Sequence, residues 1–411
     1  MYNIEQGRPA LVVEYVDPLE GFKGWLAIDR FDHELCAGGL RVQKGLTREC
    51  VEDLAATMTL KMRIAGIRAD GAKSGIDYDP ASPGKKEALF RFVRAIRSFI
   101  CIRYSMGPDM NTTMQELDEI VARLDLPSIK VAVAHAQGLD HDDFMQRIDT
   151  LRQPAGHAVL GRLRAGSGLA SACLGVLEYL DIPCSEATVA IQGFGGLASG
   201  AAYCLRRAGV QIVAIADEEK TLVSADNKSL DIDKLLQQST DGLIPDTETT
   251  GSYGDRNRIY DVPCDVFIPA AIEKAITERE AESIQVKAVV CGANLAVTPE
   301  AEQILHDRGI ILVPDMVAGC GGSLSMEGLF GPAFQPSVRD VLQFVDIKMR
   351  SIVQKILERS QLDNVPTREA ALRLCSETPL YPGTRPYGPL VSASQHVCLQ
   401  PHDYPYLAGV S

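Results

Sequence analysis

Positive charge, aromatic rings and long apolar runs are all scarce in this 411-residue chain. A net charge of -13 leaves little positive field to displace counterions from nucleic acid. One tryptophan, Trp25, among 6% aromatic residues offers no stacking platform for single strands. No run of eighteen apolar residues occurs, so no membrane partner and no membrane-spanning helix are expected. The first residues, Met1-Tyr-Asn-Ile-Glu-Gln6, lack a basic stretch followed by an apolar core, so no secretory signal is expected and the chain reads as cytoplasmic. Its eleven cysteines are scattered singly, without a Cys-x-x-Cys pair or a Cys/His cluster. In a reducing compartment they are small apolar fillers, and no metal site is expected.

What is present is globular: 46% hydrophobic and 23% charged residues, in a chain longer than one ordinary core, so two domains are expected. Residues 10–16 and 24–29 read as strands joined by a Pro/Gly turn. Thr47 is a plausible N-cap for a helix running to Gly66, with an apolar stripe of Val51, Leu54, Ala55, Met58, Met62 and Ala65. A Gly-rich loop is expected over Arg68–Gly75, then a helix over 84–102. After about residue 150 strands at 187–192, 210–216, 265–269, 288–291 and 310–313 alternate with helices, which means a largely parallel sheet covered on both faces. Long helical patterns follow at 338–362 and 367–375, and the Pro/Tyr-rich stretch 376–411 reads as irregular.

Val189-Ala-Ile-Gln-Gly193-Phe-Gly195-Gly-Leu-Ala198 is an apolar strand entering Gly-x-Gly-x-x-Ala and a helix. The first glycine permits the tight turn, the second lets backbone approach a pyrophosphate, and the small third residue lets helix and strand pack closely. The helix N-terminus offers free N–H groups and partial positive charge to phosphates. The next strand ends in Asp217, 24 residues after Gly193, where a carboxylate can bond the adenosine ribose. Glu218 and Glu219 add repulsion toward a 2′-phosphate. This stretch is expected to bind a dinucleotide, NAD in preference to NADP; the bland alternative is a glycine turn that binds nothing.

Three charged residues are candidates for chemistry. Lys61 falls on the apolar stripe of the first helix, where a lysine either meets an anion or snorkels along the core. Lys73, taken alone, is a surface loop lysine; two lysines brought together in a closed cleft depress each other's pKa and make one a usable base. Asp109 is a helix cap, a turn aspartate or a proton carrier.

Gly38-Gly-Leu-Arg41, Met58-Thr-x-Lys61, Gly71-Ala-Lys73-x-Gly75 and Gly107-Pro-Asp109 resemble the glutamate/leucine/phenylalanine/valine dehydrogenase family. So do Gly161-Arg-x-x-Ala-Gly-x-Gly168, Gln192-Gly-Phe-Gly, Pro269-Ala-Ala-Ile-Glu273, Gly292-Ala-Asn294, Thr298-Pro-Glu-Ala301, Val313-Pro-Asp315 and Thr367-Arg-Glu-Ala-Ala371. The resemblance covers about residues 10–375. It implies an α/β fold: a Rossmann-type doubly wound dinucleotide domain at 151–330, and a substrate-binding and oligomerisation domain with a mixed sheet at 1–150, completed by helices at 335–375. It implies oxidation of an L-amino acid to its 2-oxo acid and ammonia, or the reverse, in a homo-oligomer. Lys73 would be the general base, Asp109 would exchange protons with the amino group, and Lys61 would hold the α-carboxylate, with Gly39 beside them. Gly193, Phe194, Gly195, Gly196, Leu197, Asp217, Ala270 and Asn294 would hold NAD, Asn294 at the nicotinamide end.

Departures from the family pattern bear on substrate and activity. Glutamate-specific members carry a lysine before Gly-Gly-Leu-Arg; here that place is Ala37, and Met326 stands where a serine is usual. A pocket lined by Ala37 and Met326 is expected to prefer an apolar side chain over glutamate, because an unpaired buried carboxylate costs several kcal/mol. Asp70 replaces a glycine near Lys73 and is expected either to pair with it or to face solvent. Ala165, Gly319 and Asn111 are further departures. They leave open a homologue with altered chemistry that binds the dinucleotide as a sensor or structural partner, and within the enzyme class a glutamate dehydrogenase or reduction of a preformed cyclic imine.

Overall fold

The structure is a computed structural model that describes residues 7–225, 228–240, 242–246 and 251–390. Contacts divide these residues into two compact units, the first comprising 7–150, 329–335 and 376–390, the second 151–328 and 336–375.

In the first unit the chain order is β1 (Leu11–Val16), β2 (Lys23–Ile28), β3 (Cys36–Gln43), α1 (Arg48–Ala65), β4 (Asp70–Asp77), α2 (Lys85–Ala95), α3 (Arg97–Ile102), β5 (Tyr104–Pro108), α4 (Met114–Ala122), α5 (Val131–Gln137) and α6 (His141–Thr150). The strands form one mixed sheet in the order β1-β2-β4-β3-β5, with β4, β3 and β5 parallel and β1 and β2 antiparallel. Thr47 caps α1 by accepting from Cys50 N, and Gly66 ends it in the left-handed region at φ 72°. The helix expected over 84–102 is two, divided at Ile96.

The expected Gly-rich loop is instead β4, a buried strand between β2 and β3. Its glycine at 71 serves close approach rather than a turn. A Cβ there would lie 2.1 Å from Ala55 O and 2.2 Å from Thr59 N. Helix α1 therefore lies directly on the strand, and Gly71 N donates to Thr59 Oγ1 at 2.9 Å.

The second unit runs β6 (Pro154–Ala155), β7 (Ala158–Val159), α7 (Leu160–Tyr179), β8 (Thr188–Gln192), α8 (Gly196–Arg207), β9 (Gln211–Ala216), β10 (Lys220–Ser224), α9 (Ile232–Gln238) and β11 (Gly251–Asp255). A 3-10 turn (Arg256–Asp261) leads on to β12 (Val266–Pro269), α10 (Glu278–Ser283), β13 (Ala288–Val290), α11 (Pro299–Asp307), β14 (Ile311–Val313), α12 (Asp315–Ala318) and α13 (Gly321–Phe330). Helices α14 (Val338–Asp363) and α15 (Thr367–Glu377) close the list. The sheet order is β11-β10-β9-β8-β12-β13-β14, parallel from β9 to β14 with β10 and β11 antiparallel at one edge. One face is sealed by Ala190, Ala214, Phe267, Val289, Ile276 and Leu305.

Helices 335–375 were expected to complete the first domain, but α14 packs along α7 in the second unit. Gly175 makes room for it: a Cβ there would stand 3.3 Å from Arg350 Cα and from Val353. Ser171 Oγ donates to Asp346 Oδ1 at 2.7 Å, and Gln354 Nε2 to Gly175 O at 3.1 Å. Within the Pro/Tyr-rich stretch, residues 378–390 form no helix or strand yet are pinned to the first unit. Arg68 Nε and Nη2 donate to Arg385 O and Gly388 O, both at 2.7 Å, and Tyr387 is buried. Residues 391–411 lie outside the described residues.

Candidate active site

Side chains in register on neighbouring strands, or two apart on one strand, share a face of a sheet. The pairings Ala37↔Gly71, Ala37↔Ser105 and Gly39↔Gly107 therefore put Ala37, Gly39, Arg41, Lys73, Ser105 and Gly107 on one face of the first sheet. Asp109, just past β5, joins them. Lys73 Nζ lies 2.8 Å and Arg41 Nε 2.7 Å from the same oxygen, Asp109 Oδ2. Asp109 is held in turn by its backbone N–H, which donates to Thr112 Oγ1 at 2.9 Å, while that hydroxyl donates to Leu40 O at 2.8 Å. Gly39 gives Asp109 its room, since a Cβ at 39 would come within 2.8 Å of Asp109 Cβ.

The electrostatics are those of a base beside an ionised carboxylate. Burial pushes Lys73 below the ordinary lysine value, repulsion from Arg41 and Lys61 acts the same way, and Asp109 opposes them. For Asp109 burial acts upward, yet Lys73 and Arg41 prevail and hold it well below the usual carboxylate range. The charge of Lys61 reaches this centre from α1, which the contact at Gly71 presses onto β4, and Lys61 is itself buried at 8% exposure.

Asp70 neither pairs with Lys73 nor faces solvent. Three residues apart on a strand, the two point to opposite faces. Asp70 is fully buried and binds His33 twice, accepting from its backbone N at 2.8 Å and lying 3.0 Å from its Nδ1. Its replacement by alanine is expected to destabilise the fold by about 3 kcal/mol, because the buried His33 groups lose their partner. Denaturant titration of Asp70→Ala measures this, and an unchanged midpoint would contradict it. Asn111, another departure, stands at φ 60°, a left-handed position that asparagine tolerates, with Nδ2 donating to Val42 O at 2.9 Å.

Two residues with no role assigned from sequence belong to this face. Arg41 is one. The other is Lys130, 4% exposed, whose Nζ donates to Met106 O at 3.1 Å and lies 3.8 Å from where a Cβ of Gly107 would be. The available signal was a lone lysine inside the apolar run Ile129–Ala134.

In the second unit β8 leads into Gly193, at φ +104°, and Gly195 is the N-cap of α8 with no side chain capping the helix. Gly193 must be glycine twice over, since a Cβ would also meet Ala270 O at 3.0 Å. Gly195 and Gly196 are exposed, Leu197 half-buried and Phe194 buried, and a Cβ on Gly195 would point into open space. This uncapped, open helix start fits a pyrophosphate. Residue 242 lies beside the turn: a Cβ on Gly242 would be 3.2 Å from Gly195 Cα. Asp217 directly follows β9, but its carboxylate is engaged with backbone. Oδ1 accepts from Glu219 N and Lys220 N, each at 2.8 Å, and Oδ2 from Ile244 N at 2.6 Å. Exposed Glu218 and Glu219 stand beside it.

Ala270 follows β12 and abuts Gly292, where a Cβ would sit 2.6 Å from Ala270 Cβ. Asn294 precedes Leu295, which is left-handed at φ 51° and donates its N–H to Asp315 Oδ2 at 3.2 Å; Arg368 Nη2 holds Asp315 Oδ1 at 2.9 Å. Two family motifs are thus one device supporting the Asn294 turn. Met326 is buried on α13 in this unit. Ala165 and Gly319 sit near the crossing of α7 and α13, where Gly168 and Gly321 leave no room for a Cβ: one on Gly168 would be 2.3 Å from Gly321 Cα.

Residues 159–377 match the Glutamate/Leucine/Phenylalanine/Valine dehydrogenase family, and residues 12–125 match the Glu/Leu/Phe/Val dehydrogenase dimerisation domain. Similar proteins include glutamate dehydrogenase of Thermotoga maritima, 30% identical over 74% of this chain and 71% of its own length. NAD-specific glutamate dehydrogenase of Staphylococcus aureus is 33% identical over 69% of this chain and 66% of its own, and NADP-specific glutamate dehydrogenase A1 of Halobacterium salinarum 29% over 74% and 71%. Among solved structures, a hetero-hexameric glutamate dehydrogenase from Thermus thermophilus superposes with TM-score 0.70 at 23% identity, covering 90% of this chain and 88% of that one. L-tryptophan dehydrogenase from Nostoc punctiforme gives TM-score 0.59 at 18% identity, covering 90% and 96%. The chain belongs to the Glutamate/Leucine/Phenylalanine/Valine dehydrogenase family, the amino-acid dehydrogenases that work with nicotinamide dinucleotides.

Proposed function

We propose that the protein oxidises an L-amino acid to its 2-oxo acid and ammonia with NAD, and runs the reverse reductive amination. The observation that carries this reading is the buried Lys73–Asp109 pair, a lysine of lowered basicity 2.8 Å from an ionised carboxylate. Lys61 binds the α-carboxylate. Asp109 takes a proton from the substrate ammonium and later returns one to departing ammonia. Lys73, its basicity lowered by burial, removes a proton from the water that attacks the imine carbon. Gly39 keeps the floor beneath the reacting carbon flat. The nicotinamide, when bound, supplies the acceptor for the hydride leaving the α-carbon. Gly193, Phe194, Gly195, Gly196 and Leu197 would carry the pyrophosphate, with Ala270 and Asn294 toward the nicotinamide.

Selectivity for NAD is attributed to Asp217, Glu218 and Glu219 together. Asp217 shapes the turn through its backbone bonds, and its two exposed neighbours bring the charge that repels a 2′-phosphate. By analogy with the family the protein works as a homo-oligomer; a cytoplasmic location is proposed from the lack of a basic stretch and apolar core in residues 1–6. Ala37 and Met326 are proposed to contact the substrate side chain. With Ala37 in place of the lysine of glutamate-specific members, these two favour an apolar side chain over glutamate, because an unpaired buried carboxylate costs several kcal/mol.

Steady-state kinetics with both cofactors tests the reading. We expect kcat/KM for NAD to exceed that for NADP by about 100-fold or more, in the range that one repelled or unpaired group sets. A preference for NADP would refute the assignment of the acidic turn.

A further inference from the structure

We propose that Arg41 is the positioning residue of this site, the permanent cation that keeps Asp109 in place and ionised while Lys73 gains and loses its proton. The inference rests on the amino-acid dehydrogenase reading above and deepens it, because that reading gives Arg41 no part in the reaction.

Arg41 lies on β3 in direct register with Gly75 of β4. A Cβ on Gly75 would come within 3.5 Å of Arg41 Cβ, so glycine at 75 leaves the space beside the arginine stem clear. The guanidinium is held at two points. Its Nε donates to Asp109 Oδ2 at 2.7 Å, and its Nη1 donates to Gln43 Oε1 at 3.3 Å, two residues on along the same strand. A planar fork fixed in this way aims Nε at the carboxylate instead of leaving it to swing. Only 11% of the arginine side chain is exposed. Lys73 reaches the same Oδ2 from β4 at 2.8 Å. One carboxylate oxygen therefore meets two cations from two neighbouring strands.

The two cations differ in one respect that decides the chemistry. Lys73 has to be unprotonated when it takes the proton from water, and in that state it gives Asp109 no counter-charge. Burial draws a carboxylate left alone toward its neutral acid, and burial acts on Asp109 in this direction. A neutral Asp109 could not take a proton from the substrate ammonium. Arg41 cannot be deprotonated in a protein, so Asp109 keeps a counter-charge through the whole cycle. The same charge also repels the proton from Lys73. Other charged and titratable groups surround the centre at greater remove. Lys61 on α1 repels Lys73 in the same sense, and Tyr104 on β5 faces Asp109. Lys130, at the start of α5, is bonded to Met106 O, and Lys85 pairs with Glu116 beside Asn111. Among the described residues, the ion pairs of Asp109 are those with Arg41 and Lys73.

The test is the pH profile of kcat/KM for oxidation of the best L-amino acid, in the wild type, Arg41→Met, Arg41→Gln and Arg41→Lys. Removing the charge lets Lys73 hold its proton to higher pH, so the rising limb in Arg41→Met should move up by about one pH unit or more. The rate on that limb then falls by about 10-fold or more, while KM for NAD stays close to wild type. Arg41→Gln keeps a neutral donor but no charge. It should move the limb as far, and it replaces Arg41→Met if melting curves show that the latter does not fold. Arg41→Lys should bring the limb part of the way back. A purely structural role would lower the plateau and leave the limb at its wild-type pH. That result, or an Arg41→Lys limb no closer to wild type than that of Arg41→Gln, overturns the proposal. Failure of the dehydrogenase reading looks different, because the wild type then oxidises no amino acid. Trace labelling with acetic anhydride decides the role of Arg41 in that case: the midpoint of Lys73 acetylation against pH moves up in Arg41→Gln, and a fixed midpoint overturns the proposal.

Discussion

Lys73→Ala is expected to lower kcat for amino-acid oxidation by about 1,000-fold or more while leaving NAD affinity within a few-fold of wild type. The base is lost outright, and among the described residues Asp109 keeps Arg41 as its cationic partner at 2.7 Å. The proposed cofactor residues all belong to the second unit, so NAD binding followed by fluorescence should hardly change. The pH dependence carries the sign of the argument. Lys73 works deprotonated, and burial lowers its pKa from the ordinary lysine value of 10.5. Wild-type kcat/KM in the oxidative direction should therefore rise with pH through that lowered value and then level off. In Lys73→Ala this rising limb should vanish. A variant that keeps both the rate and the limb would remove Lys73 from the chemistry.

Gly71→Ala is expected to be the most damaging single-methyl change on this face. The added carbon would stand 2.1 Å from Ala55 O and 2.2 Å from Thr59 N, and both are backbone atoms of a helix that cannot rotate aside. Relief requires α1 to lift from β4, breaking the Gly71 N to Thr59 Oγ1 bond and carrying Lys61 away from Lys73. A destabilisation of about 3 kcal/mol or more follows, at the upper end of overpacking effects. Protein that remains folded should show a raised KM for the amino acid, because the proposed α-carboxylate holder has moved. Urea unfolding and steady-state kinetics measure the two effects; a wild-type midpoint would mean that α1 and β4 are not pressed together as described.

Much of this architecture is legible in the sequence, for reasons tied to particular residues. The alternation of apolar strands and helices between 187 and 313, Thr47 before α1, and Thr298-Pro299 before α11 all carry local signals with one physical meaning. The strand–Gly-x-Gly–helix signal at 189–198 does too. Residues 70–77 are not legible as a strand because glycine has two uses. Asp70-Gly-Ala-Lys-Ser-Gly75 has the composition of a loop, but its glycines accommodate neighbours on a central strand. Helix α14 was placed with the first unit because a long amphipathic pattern does not say which partner it covers; Gly175 and Ser171 on α7 do. The partner of Asp70 is not legible without strand register, since alternation turns it from Lys73 toward His33. The place of Asp217 just after the strand at 211–216 is legible, but a sequence cannot show its carboxylate occupied by three backbone N–H groups.

The most direct test of the central claim is the stoichiometry of oxidation. Purified protein is incubated with NAD and its best L-amino acid, and ammonia, 2-oxo acid and reduced nicotinamide are measured together. The account predicts equal amounts of all three, with production abolished in Lys73→Ala. Tight NAD binding without any of the three products, across acidic, aliphatic and aromatic amino acids, would contradict it.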